Sequence, residues 1–153
     1  MAILEHRYTA DVVWNGGRDG SGSITPGPSG QGFPINVPPE FGGTGGQLNP
    51  EELLTSAIAG CYSITYGIVV ANRKLPVASF EAKAEGVVEQ NGASFKYREI
   101  VIRPTITLAA EATDEQLKFA EDMAHKCDAY CIVTNAVRAS VEVRIEPVVV
   151  IAS

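Results

Sequence analysis

The sequence is poor in basic residues and has no cluster of them. Lys and Arg together number 12, against 18 Asp and Glu, which leaves a net charge of −6 over 153 residues. A surface of this sign repels nucleic acid, so we expect no nucleic-acid partner. The first residues also lack the basic segment followed by an apolar one that marks a secretory signal, and we expect a cytoplasmic protein.

Cysteine is scarce as well, with three residues in the chain. An odd number at irregular spacing excludes a small secreted scaffold held together by disulfides. In a reducing compartment a cysteine is more often reactive, metal-binding or simply buried than cross-linked.

Charge is absent from one long stretch, residues 53–72. Its length of about 20 residues would be enough to cross a bilayer. However, it contains many small and polar residues, including Thr55, Gly60, Ser63 and Tyr66. We therefore predict no membrane span, but a helix that is buried on nearly all sides in a protein core.

The remaining pattern predicts an α+β fold made of one domain over residues 1–153, since hairpins alternate with helices and no linker or repeat interrupts the chain. Asn49, Pro50, Glu51 and Glu52 favour a helix start, as an N-cap residue followed by proline and two acidic residues. The predicted elements are strands near 8–14, 21–25 and 33–37, a helix over 50–72, a hairpin of 80–89 and 94–108, a helix opened by a Thr113/Gln116 capping box, a short helix at 131–138 and a strand at 140–150.

Cys61 lies in the middle of the long helix. Its simplest interpretation is a small core residue, because free cysteine is among the most buried types. A reactive cysteine needs a positive neighbour that holds it as a thiolate, and its own helix offers none nearby. Arg18, in a glycine-rich turn, is a candidate for that neighbour, and Glu51 is a candidate partner of Arg18. Glu51 and Cys61 are about 15 Å apart along the helix axis, so two antiparallel copies of the helix from two subunits would let one arginine serve both.

Cys127 and Cys131 form a second pair, with His125 just before them. A zinc site with Cys61 or His125 is one interpretation, but tetrahedral zinc usually takes two closely spaced pairs and only one pair is present. We therefore expect no metal and no bound cofactor.

Two motifs resemble those of the OsmC/Ohr family, the osmotically inducible protein C and organic hydroperoxide resistance proteins. Residues 49–54 (Asn-Pro-Glu-Glu-Leu-Leu) and 57–63 (Ala-Ile-Ala-Gly-Cys-Tyr-Ser) match the first family motif. Residues 131–137 (Cys-Ile-Val-Thr-Asn-Ala-Val) are similar to the second, and residues 16–20 (Gly-Gly-Arg-Asp-Gly) look like the arginine turn of the Ohr branch.

The resemblance implies antiparallel sheets around a long buried helix, in an intertwined homodimer with its site at the subunit interface. It implies that Cys61 attacks an organic hydroperoxide and becomes a sulfenic acid, while Arg18, oriented by Glu51, stabilises the thiolate and the peroxide oxygens. Cys131 then forms a disulfide with Cys61, which an external dithiol or a lipoylated protein reduces.

The chain departs from the family pattern in its second motif. Ile132 stands where proline is usual, and Thr134 where serine is usual. Cys127 is an extra cysteine that could resolve Cys61 instead, form a relay disulfide with Cys131, or pack in the core. The competing function is a non-catalytic OsmC-like stress protein that binds a hydrophobic ligand.

Overall fold

A computed structural model describes residues 2–153, in which seven strands and three α-helices follow in an α+β arrangement, as predicted. The elements are β1 (Ala10–Asn15), β2 (Ser21–Pro26), β3 (Phe33–Asn36), α1 (Pro50–Arg73), β4 (Val77–Asn91), β5 (Ser94–Leu108), α2 (Asp114–Lys126), α3 (Ile132–Val137), β6 (Glu142–Ile145) and β7 (Val148–Ile151). Two compact units divide the chain, one ending at Leu53 and the other running from Leu54 to Ser153, so that the boundary falls within α1. The single-domain expectation stays a prediction.

The first unit contains an antiparallel three-stranded sheet in the order β1-β2-β3. The turn between β1 and β2 is closed by a hydrogen bond from the Gly20 amide to the Gly17 carbonyl, 3.0 Å long. Gly16 in the same turn has a φ of 93°, which glycine adopts without a steric penalty. This turn carries Arg18.

The start of α1 is held by a reciprocal capping box, confirming the helix start that the sequence predicted. The Glu52 amide donates to Asn49 Oδ1 at 2.9 Å, and the Asn49 amide donates to Glu52 Oε2 at 3.3 Å. Two backbone donors that the first helical turn leaves without partners are thereby satisfied. The helix then runs for 24 residues to Arg73.

Only one stripe of α1 is buried, formed by Ile58, Tyr62 and Tyr66. The prediction of burial on nearly all sides is therefore wrong for the single chain: Ile64 is 68% exposed and Ile68 is 55% exposed. The physical reason is that an apolar composition indicates that burial stabilises a helix. It does not indicate how many faces of the helix pack against other elements.

By length and composition, α1 alone among the described residues could also cross a membrane, and 17% of its most apolar 18-residue stretch is buried. One such helix is weak evidence, because core helices of soluble proteins have the same length and composition.

The second unit contains a mixed sheet. β4 and β5 form an antiparallel hairpin, whereas β6 and β7 both pair with β5 in parallel. The resemblance implied antiparallel sheets, and this sheet is mixed instead. The sequence also predicted one strand over residues 140–150, where the structure has two, β6 and β7. The predicted strand is interrupted at Pro147, which has no amide hydrogen to donate to the sheet.

Two buried tyrosines join α1 to α2. The Tyr62 hydroxyl donates to the Ala124 carbonyl at 2.7 Å, and the Tyr66 hydroxyl donates to the Ala120 carbonyl at 3.3 Å. α2 begins at the predicted Thr113/Gln116 capping box. Because buried hydroxyls need partners, these bonds fix the height of α2 along α1, and so the position of the segment that follows it. The core they enter is formed by α1, α2 and the inner face of the mixed sheet; its fully buried members include Ile58, Ile100, Ile102, Ile106, Leu108, Ala120 and Ala124.

Candidate active site

Cys61 is half-buried on α1 and lines an open cleft of about 490 Å³. The cleft walls are almost wholly apolar. They come from one face of α1 and from the segment around Cys131, and consist of Ala57, Gly60, Cys61, Ile64, Thr65, Ile68, Tyr130, Ile132 and Val133. The nucleophile candidate is thus reachable by a small molecule, and its surroundings favour an apolar one.

Cys131 lies directly behind this cleft wall and is 0% exposed. A 3₁₀ turn over Cys127–Tyr130 leads into it, and its sulfur caps α3 by accepting a hydrogen bond from the Thr134 amide at 3.4 Å. The Cys61 side chain lies close enough to the Cys131 thiol to shift its pKa. Burial and the neighbouring Cys61 side chain both raise the pKa of the Cys131 thiol, while Thr134 lowers it. The structure therefore brings together the two cysteines of the two sequence motifs.

The turn that carries Cys131 is braced by α3 and the residue after it. The Arg138 guanidinium contacts Asp128 Oδ2 at 2.9 Å and donates to the Asp128 carbonyl at 3.2 Å. Asn135 Nδ2 donates to the Ala129 carbonyl at 2.9 Å. The sequence analysis missed this brace, since its partners are polar residues of ordinary appearance that only the turn brings together.

Cys127 is fully buried beside Tyr62. Burial raises the pKa of the Cys127 thiol to about 11, with Asp128 adding to the rise. A thiol that stays protonated at neutral pH is a poor nucleophile, so the structure favours core packing for Cys127. Among residues 2–153, no group of three or more His, Cys, Asp or Glu side chains is arranged to hold a metal ion.

Cys127 should make the folded protein less stable at alkaline pH. Its thiol has an ordinary pKa of 9.0 and a folded pKa of about 11, so the folded state binds this proton more tightly than the unfolded chain. The resulting stabilisation is complete below about pH 9 and is lost as the pH rises towards about 11. We predict that the urea midpoint of the reduced protein falls between about pH 8 and about pH 10.5, and falls less in Cys127→Ala. Equal falls in the two proteins would contradict this prediction.

Arg18 and Glu51 belong to the first unit, and the three cysteines belong to the second. Arg18 Nη1 donates to the Phe41 carbonyl at 2.9 Å, and Gly42, with a φ of 79°, lies against the arginine side chain. A β-carbon at Gly42 would come within 3.1 Å of Arg18 Cδ. Glu51 is half-buried in the first turn of α1. The predicted ion pair between Arg18 and Glu51 stays a prediction.

Several cleft residues escaped the sequence analysis. Ile64 and Ile68 follow Cys61 at helical spacings of three and seven, a signal that was present but was assigned to the core. Tyr130 also lines the cleft, whereas Tyr62, which follows Cys61 in the sequence, is a core residue.

Comparison with known proteins gives consistent results. The family model described as OsmC-like protein matches residues 43–146. The uncharacterized protein YmaD of Bacillus subtilis (strain 168) is 28% identical, over 94% of this chain and 95% of YmaD. Among solved structures, an OsmC-like protein of unknown function from Vibrio cholerae superposes with a TM-score of 0.77 at 18% identity, covering 94% of this chain and all of its own. A Legionella pneumophila protein described as an organic hydroperoxide resistance protein OsmC has a TM-score of 0.71 at 24% identity, covering 94% and 98% of the two chains.

Proposed function

Because the chain belongs to the OsmC family, we propose that it is a thiol-dependent peroxidase that reduces organic hydroperoxides to alcohols in defence against oxidative stress, in the cytoplasm. The name of the Legionella pneumophila neighbour supports this role. The observation that carries the proposal is that Cys61, at the wall of an apolar cleft, lies close enough to the buried Cys131 thiol to shift its pKa. A nucleophilic thiol that a substrate can reach, next to a second thiol that water cannot reach, is the arrangement that a disulfide-forming peroxidase needs.

The proposed reaction has three steps. The Cys61 thiolate attacks one peroxide oxygen, so that an S–O bond forms, the O–O bond breaks and the alcohol leaves after taking a proton. Cys131 then attacks the sulfenic acid sulfur, forming the disulfide and releasing water. An external dithiol, of lipoyl type or carried by a lipoylated protein, reduces the disulfide by exchange. Arg18, oriented by Glu51, stabilises the thiolate and the negative charge on the departing oxygen.

The test of this sequence is to map the disulfide after a single turnover. Reduced protein receives one equivalent of cumene hydroperoxide, free thiols are alkylated, and peptides are analysed by mass spectrometry. We expect a Cys61–Cys131 disulfide in the wild type and in Cys127→Ala, and a lasting Cys61 sulfenic acid in Cys131→Ser. A Cys61–Cys127 disulfide in the wild type would instead make Cys127 the resolving residue.

We also propose that the protein acts as a homodimer. The exposed apolar face of α1 is one that a monomer in water would leave uncovered, and a second subunit is the simplest cover for it. Glu51 and Cys61 are too far apart along one helix to share an arginine. In a dimer, an antiparallel α1 from the second subunit would let one arginine serve both.

Ile68→Asp should weaken the dimer, because a carboxylate would be buried against apolar side chains at the contact. We expect its mass in size-exclusion chromatography with light scattering to shift from twice the chain mass towards 16.2 kDa. Val148→Asp on β7 is the matched control, since Val148 and Ile68 are both 55% exposed. A monomeric wild type, or an equal shift in the control, would contradict the proposed contact.

One observation favours the second candidate function, a stress protein that binds a hydrophobic ligand without turnover. The cleft around Cys61 is almost wholly apolar, as such a ligand would require. That function predicts that the protein binds apolar molecules equally well with serine at position 61, and forms no disulfide after peroxide treatment.

A further inference from the structure

Thr134 is a buried polar residue whose hydroxyl has no ordinary partner. It is 0% exposed in α3, and Oγ1 makes no regular hydrogen bond in the reduced protein. Native proteins seldom bury a hydroxyl in this way, because the group gives up its bonds to water and gains none in return. An unsatisfied group of this kind calls for an explanation in terms of function.

The group that can use this hydroxyl is the sulfur of Cys131. The Thr134 amide already donates to Cys131 Sγ at 3.4 Å, and the side chain of the same residue also acts on that sulfur, lowering the pKa of the Cys131 thiol. A neutral thiol is a weak acceptor, whereas a thiolate is a strong one. The Thr134 amide thus already donates to this sulfur, and the Thr134 hydroxyl is a second donor of the same residue that has no other partner.

We propose that Thr134 is a catalytic residue of the disulfide-forming step: its hydroxyl donates a hydrogen bond to the Cys131 thiolate while that thiolate attacks the Cys61 sulfenic acid. This inference rests on the proposed function. In the step, the S–S bond forms between Cys131 and Cys61, the S–O bond of the sulfenic acid breaks, and the leaving hydroxide takes up a proton to become water. The Cys61 sulfur, which the peroxide oxidised in the preceding step, is the oxidant of Cys131.

The need for such a donor follows from the burial of Cys131. Burial disfavours the thiolate, and the titratable groups that face this sulfur, Cys61 from α1 and Cys127 from the 3₁₀ turn, bring no positive charge. The nearby guanidinium, that of Arg138, is bound to Asp128. Hydrogen bonds from Thr134 are therefore the stabilisation that the described structure offers to the Cys131 thiolate.

The test compares Thr134→Val, which keeps the shape and removes the hydroxyl, with Thr134→Ser, which keeps the hydroxyl. Reduced protein is mixed with one equivalent of cumene hydroperoxide. Loss of the Cys61 thiol and appearance of the disulfide are followed separately by rapid quenching, alkylation and mass spectrometry over a range of pH.

In Thr134→Val we expect Cys61 to be oxidised at the wild-type rate and the disulfide to form about threefold more slowly near neutral pH. The thiolate fraction should fall about tenfold, and the more basic thiolate should regain about threefold in nucleophilicity. The pH of the half-maximal rate should rise by about one unit. Thr134→Ser should behave as the wild type.

Stability provides a second readout. Removing a buried hydroxyl that lacks a partner should leave the melting temperature of the reduced protein unchanged or raise it. A role in folding alone would lower it and leave the pH profile in place.

Disulfide formation in Thr134→Val at the wild-type rate with the wild-type pH profile would overturn this inference and leave the proposed function standing. A wild-type protein that forms no Cys61–Cys131 disulfide would overturn the proposed function itself, and the inference with it.

Discussion

Cys61→Ser is expected to lose peroxide consumption almost completely. In an assay with cumene hydroperoxide and a dithiol, we expect the rate to fall at least about a thousandfold, because a serine hydroxyl is a far weaker nucleophile than a thiolate and cannot store the oxidation as a sulfenic acid. Cys61 lies half-buried on one wall of the cleft, so the substitution should change the melting temperature little.

Cys127→Ala is the matched control for this experiment. It removes a thiol of the same cluster that lies in the core beside Tyr62 and does not line the cleft. We expect Cys127→Ala to keep most of the activity and to lower only the stability of the folded protein, because a core side chain is shortened. Undiminished turnover in Cys61→Ser, or equal losses in the two variants, would overturn the assignment of Cys61 as the nucleophile.

Arg18→Met should slow the oxidation of Cys61 by about a hundredfold. A guanidinium can donate two hydrogen bonds to negative charge that develops on the peroxide oxygens, and the loss of such a donor typically has an effect of this size. The rate is measured under single-turnover conditions from the loss of the Cys61 thiol, so that slow reduction of the disulfide does not hide the effect.

Arg18→Lys separates charge from geometry. Lysine keeps the positive charge but loses the planar pair of donors, and it cannot reproduce both the bond to the Phe41 carbonyl and a contact with peroxide. We expect an intermediate rate. Wild-type rates in both variants would show that Arg18 is only a residue of the β1–β2 turn.

Local structure was predictable where one short segment contains all the atoms that decide it. The capping boxes at Asn49/Glu52 and Thr113/Gln116 each satisfy backbone donors within a single helical turn. The predicted hairpin of β4 and β5 turns at Gly92, whose φ of 59° glycine adopts without a steric penalty. These features depend on neighbours in sequence, and the sequence displays such neighbours directly.

The direction of the last strands was not predictable in the same way. An alternating pattern predicts that β6 and β7 are strands but carries no information about their direction relative to β5. That direction depends on the path through α2 and α3, which returns the chain from the end of β5 to its beginning.

The sequence by itself determined the helices, the strands before the last one and the family motifs that make Cys61 and Cys131 the candidate pair, because each of these depends on residue types at short spacing. Only the tertiary structure decided that α1 buries a single stripe, that an apolar cleft opens beside Cys61, and that Cys127 lies in the core. It also placed the Thr134 hydroxyl next to the Cys131 sulfur without another partner. The physical reason is that burial and hydrogen-bond satisfaction belong to pairs of groups that are distant in sequence or joined through a turn, and they exist only once the chain has packed.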